Sequence, residues 1–235
     1  MIAAMTRTTT TATTLRPVPA AAGPRTGRAL VVIGDEVPDW VLRWCTRIAR
    51  EVRHRPVPGR PAEPVSTERV RAIADIAAGA ARRGNPVLAL PSQPQARSTP
   101  PRVVAAVRQL PDDAPALTDA AACAGHMGAD LVVAHGLPVS LGERSIGLDA
   151  AVQDAARLLD AAVAAAVESE PGLAVRAWLA RVRPHELVGE QLDADLLVLG
   201  GPRLGRSGPL GLVARSALFH APCPVLLIPR PPRPA

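Results

Sequence analysis

What most constrains this chain is a run of five short apolar segments, each separated from the next by a stretch with helical periodicity. They are Val103–Val107, Asp130–His135, Ala174–Val182, Leu196–Leu199 and Val225–Ile228. Segments of this length, bounded by Gly, Pro and Asp, read as strands. Between them the apolar residues change to spacings of three and four. Leu117, Ala120, Ala121, Ala124 and Met127 make one such stripe, and Leu148, Val152, Ala155, Leu159, Ala162 and Ala166 another. Strand and helix in strict alternation predict a parallel sheet with helices on both faces. Asp112 and Asp113 precede Pro115 and are expected to cap the first of these helices.

The residues ahead of this block divide in two. Residues 1–28 are a Thr/Ala/Pro-rich tail expected to bury little and stay disordered. Residues 29–92 are expected to form a small α/β segment. Its strand Ala29–Ile33 leads into a helix carrying Val41, Cys45, Ile48 and Val52. After a Pro-rich linker from Arg55 to Pro64, a second helix opened by Ser66 or Thr67 with Glu68 carries Val70, Ile73, Ile76 and Ala80. A second strand, Val87–Leu90, closes the segment. Residues 93–100 read as a linker, 101–229 as the main domain and 230–235 as a Pro/Arg tail.

Composition excludes several chemistries. All 27 basic residues are arginine, so a Walker A loop, a protein-kinase strand lysine and an imine-forming amine are impossible. The formal charge of +6 would attract anions. The arginines are scattered, however, and no aromatic residues interleave with them to stack on bases, which disfavours specific nucleic-acid binding. Cys45, Cys123 and Cys223 suit neither a disulfide framework nor a zinc site, and the five histidines show no metal-ligand spacing. Ser207 lies in a Gly-Arg-Ser-Gly turn, but Pro209 stands where a nucleophile elbow needs Gly. With neither a secretory signal nor an apolar stretch of about 20 residues, a cytoplasmic location is expected.

Three segments, "HAPCPVLLIP" from His220, "DADLLVLGG" from Asp193 and "AACAGHMGADLVVAHGLPV" from Ala121, resemble the universal stress protein family in both content and order. The resemblance implies a flavodoxin-like sheet of five parallel strands in the order 3-2-1-4-5. It also implies dimerisation through the last strand and, in many members, binding of ATP or another adenine nucleotide. Such a ligand would sit beyond the carboxyl ends of strands one and four, where the strand order reverses. The candidate residues there are Arg108, Gly200, Gly201, Arg203, Gly205, Arg206, Gly208 and Gly211.

The motif departs from the family at both ends of this crevice. Nucleotide-binding relatives place an acidic residue directly after the first strand, where this chain has Arg108. Their Gly-x2-Gly-x9-Gly-Ser/Thr loop survives only in fragments: Arg203 stands for the second Gly and Leu212 for the hydroxyl residue. The resulting expectation is a stress-associated binding or regulatory protein with no catalytic residues and a degenerate nucleotide site. The alternatives are a retained ATP-binding or weakly hydrolysing protein, a crevice for another small anion, and a basic nucleic-acid-associated module. Tandem halves are frequent in the family, so the 29–92 segment resembles a contracted half. Its strand Val87–Leu90 is expected to pair antiparallel with Val225–Ile228, in place of a homodimeric contact through that strand.

Overall fold

The computed structural model describes residues 26–34, 37, 39–57, 67–91, 100–138, 147–204 and 210–232. The main domain has strands β4 (Arg102–Ala106), β5 (Asp130–Gly136), β6 (Val175–Ala180), β7 (Leu196–Arg203) and β8 (Val225–Arg230). Helices α3 (Ala114–Met127), α4 (Leu148–Ser169), α5 (Pro184–Leu187) and α6 (Leu212–His220) connect them. The strands lie in the order β6-β5-β4-β7-β8 and are all parallel. This is the 3-2-1-4-5 order that the family resemblance implies.

The preceding segment holds β1 (Thr26–Ile33), α1 (Asp39–Ile48), β2 (Ala49–Arg55), α2 (Thr67–Arg82) and β3 (Val87–Ala89). It is not a separate layer, because β2-β1-β3 continues the main sheet into eight strands. The junction is antiparallel: Val87 faces Leu227, Leu88 faces Leu226 and Ala89 faces Val225. Every other pairing in the sheet is parallel. The last strand of the main domain therefore has a neighbour supplied by its own chain.

Each face of the sheet has its own core. On one, α1, α3 and α4 bury Val41, Cys45, Leu117, Ala120, Leu159 and Ala162 against Leu30, Val103, Leu131, Val198 and Leu226. On the other, α2 and α6 bury Ile73, Ala77, Ala80, Ala214 and Ala217 against Val31, Val104, Leu197 and Leu227. Alanine dominates the helix contacts, so the helices lie close to the strands without large side chains between them. Helix α2 also carries Glu68 in its first turn and Arg82 in its last, each complementing the helix dipole. Helix α3 stops at Gly128, whose φ of +62° turns the following amide, that of Ala129, back to the carbonyl of Ala124 at 2.9 Å.

Three expectations need correction. The helix predicted through Val52 ends at Ile48, and the chain enters β2 at once. Strand β2 is an edge strand in which only Ala49 is buried and Val52 half-buried, so it lacks the apolar signal of an interior strand. The strand predicted over Leu196–Leu199 continues to Arg203, which pairs with Arg230, so Gly200 and Gly201 lie inside it. Finally, Asp113 occupies the N-cap position of α3 but makes no side-chain cap; its carboxylate points elsewhere. Among the described residues, no helix is long and apolar enough to cross a membrane.

Candidate functional site

Strand β4 leads through α3 to β5 on one side, whereas β7 leads through α6 to β8 on the other. Their carboxyl ends therefore flank the crevice where open parallel sheets bind ligands. The segment 107–113 forms one wall and the end of β7 the other.

The chain's own charges occupy this crevice. Asp113 is fully buried. Its Oδ2 accepts hydrogen bonds from the backbone amides of Arg108 at 2.7 Å and Gln109 at 3.2 Å, and its Oδ1 accepts one from Arg230 Nε at 2.7 Å. A buried carboxylate is tolerated only when paired and hydrogen-bonded, and here two amides and a guanidinium meet that demand. Asp112 lies beside it and pairs with both terminal nitrogens of Arg203, while Gln109 Nε2 donates to Asp112 Oδ2 at 2.8 Å. Arg203 also donates to the carbonyl of Pro231 at 3.1 Å. Hydrogen bonding from Arg203 holds the Asp112 carboxyl below its ordinary range and raises the Arg203 guanidinium in return. The side chains of this second pair are each only 16% exposed.

Gly200 shows how little room remains. A Cβ there would lie 2.4 Å from both Arg230 Nε and Asp113 Oδ1, so any side chain at this position would push the ion pair aside. Gly201 is also inside the strand, where a Cβ would meet the Ile228 carbonyl at 3.2 Å. Neither glycine belongs to a phosphate-cradling loop.

The predicted site residues thus separate. Gly200, Gly201 and Arg203 line the crevice, but Arg203 is already neutralised by Asp112. Arg108 contributes its backbone amide, and its side chain is exposed. Gly211 is the exposed N-cap of α6, followed by Leu212, which is 58% exposed. Gly205, Arg206 and Gly208, with Ser207, lie outside the described residues. Sequence reasoning missed Asp113 and Arg230 as partners, having assigned one to a helix cap and the other to the tail. The available signal was a second acid–base set, Asp112-Asp113 and Arg230, at the carboxyl ends of strands that bracket the crevice.

A second opening lies between α1 and α3, lined by Leu30, Ile48, Leu226 and Ile228 together with Asp119, Cys123 and His126 of α3. Burial raises the Asp119 carboxyl to about 6, with Arg28 opposing the shift. His126 Nδ1 lies 2.7 Å from the Ala122 carbonyl, and His135 Nδ1 lies 2.9 Å from that of Val107. Among the described residues no group of His, Cys, Asp or Glu could hold a metal ion.

The universal stress protein family model matches residues 100–229, more than half of the chain. A putative universal stress protein from Pseudomonas aeruginosa UCBPP-PA14 is 15% identical with a TM-score of 0.53, covering 86% of this chain and 93% of its own. A universal stress protein from Archaeoglobus fulgidus is 24% identical with a TM-score of 0.46, over 55% of this chain and 97% of its own. The structure of that organism's universal stress protein in complex with dAMP is 28% identical with a TM-score of 0.43, over 55% and 96%. No curated protein sequence matches the chain.

Proposed function

The chain belongs to the universal stress protein family, and on that premise we propose that it is a stress-associated binding or regulatory protein that performs no chemistry and does not use the family's crevice for an adenine nucleotide. One observation carries this reading: Asp113, fully buried, takes the two backbone amides and the guanidinium that an anionic ligand would seek at the switch point. An incoming phosphate would have to expel a carboxylate that makes three hydrogen bonds. It would also meet Asp112, whose negative charge already satisfies Arg203. The two acids and two arginines pair one to one, so these four described residues together offer a nucleotide no net positive charge.

Thermal unfolding of the full chain with ATP, AMP and cyclic AMP at millimolar concentration tests the proposal. A ligand that binds only the folded state at 100 times its Kd stabilises it by about 2.7 kcal/mol, so binding would be plain in the Tm. The expected result is no shift with any of the three. A clear rise with ATP would establish the alternative, an adenine-nucleotide-binding member whose ligand displaces the internal pairs.

A further inference from the structure

Strand β2 is the outermost strand on one side of the sheet. Its inner side bonds to β1, the Gly34 amide donating to the Arg55 carbonyl at 3.3 Å. The N–H and C=O of one strand residue point the same way, and the direction reverses at each step. Glu51, Arg53 and Arg55 therefore direct their backbone groups toward β1, while Arg50, Val52 and His54 turn theirs outward. Among the described residues no strand pairs with that outer side.

The side chains around this open edge are strongly basic. Arg50, Arg53 and Arg55 are exposed on β2, and Arg43 and Arg47 are exposed on α1, which packs beside it. The one carboxylate of β2, Glu51, is tied to Arg53 at 2.7 and 3.0 Å. An edge strand with free backbone groups is a template for another strand, and its charge selects which one. A second copy would set arginines against arginines. A nucleic acid would use the charge but none of the backbone donors and acceptors, and the strand has no Phe, Tyr or Trp to stack on a base.

We propose that β2 is a docking edge for an extended acidic segment of a partner protein, which adds to the sheet as a ninth strand. Main-chain hydrogen bonds to Arg50, Val52 and His54 would supply register, and carboxylates flanking Arg53 and Arg55, which share one face of the strand, would supply selectivity.

The probe is a dye-labelled seven-residue peptide of alternating Glu and Val, followed by fluorescence anisotropy with the full chain. Three comparison probes accompany it: the same peptide with Gln for Glu, the acidic peptide N-methylated at alternate residues, and a single-stranded oligonucleotide of equal charge. The acidic peptide is expected to bind, with both modified peptides and the oligonucleotide at least tenfold weaker. His54→Pro removes an outward amide at an edge position that tolerates proline and is expected to weaken the acidic peptide by a similar factor, as is Arg53→Glu combined with Arg55→Glu. N-methylation alters the probe alone, so that comparison holds even where a variant folds poorly. Failure of the acidic peptide to bind, equal binding of its N-methylated form, or equal binding of the oligonucleotide would each overturn the proposal.

Discussion

Arg230 Nε meets Asp113 Oδ1 at 2.7 Å across a sequence separation of 117 residues, joining the end of the last strand to the turn that starts α3. This contact closes the crevice at the switch point, and it is also a stability element. Removing Asp113 leaves Arg230, whose side chain is 25% exposed, without its counter-charge and two amides unanswered. Asp113→Ala is expected to lower the unfolding free energy by about 3 kcal/mol, the low end for breaking a buried pair, because Arg230 keeps partial access to water. Urea denaturation should show this as a lower midpoint at unchanged slope.

The distance between those partners also explains what could be read in advance. Leu196–Leu199 and Val225–Ile228 are buried on both faces, so their apolar runs declare interior strands. Their alternation with helices makes the five main strands parallel, and the family resemblance supplies their order. Strand β2 was hidden because an edge strand buried at one residue reads as a polar helix end. The crevice was hidden for another reason. The missing acid after the first strand and the broken glycine motif are local facts, legible in Arg108 and Leu212. What replaced the lost groups is a pairing between Asp113 and a residue beyond the core of the last strand, and no local pattern reports such a pair.

Asp119 gives the stability a pH dependence of unusual sign for a carboxylate. Its ordinary value of 3.8 rises to about 6 in the folded protein because burial disfavours the charged form. Between those values the folded state holds more protons than the unfolded state, so stability falls as pH rises. The shift corresponds to about 3 kcal/mol at 1.36 kcal/mol per unit, fully expressed above the folded value. Measured as the difference between the native chain and Asp119→Asn, the native chain should lose about that much between pH 3.5 and pH 7. Asp112 works in the opposite sense: its carboxyl is held low by Arg203, so its contribution is present above the ordinary range and disappears on acidification. A flat difference curve for Asp119→Asn would show that the carboxyl is solvated.

The three described thiols are all buried. Desolvation raises Cys45 and Cys223 to about 12, and Cys123 well above its ordinary value. Because the thiolate is the reactive species, none should react with a disulfide reagent at pH 8 in the folded protein. All three should react once urea unfolds it. Rapid titration of a single thiol under native conditions would mean that the core opens locally on that timescale.

The antiparallel contact of β3 with β8 bears on assembly. Val87, Leu88 and Ala89 are buried and lie opposite Leu227, Leu226 and Val225, so β3 spends the backbone groups that β8 would otherwise present along an apolar edge. An uncovered edge of that kind pairs with another chain. The two strands that do end the sheet, β2 and β6, carry arginines that oppose pairing with a second copy: Arg50, Arg53 and Arg55 on one, and Arg176, which pairs with Asp130 at 3.0 Å, on the other. The full chain is therefore expected to be monomeric, whereas a chain lacking residues 1–91 should associate through β8. Light scattering coupled to size-exclusion chromatography distinguishes the two. If the shortened chain stays monomeric at micromolar concentration, β3 serves the core of the sheet and does not act as a substitute partner.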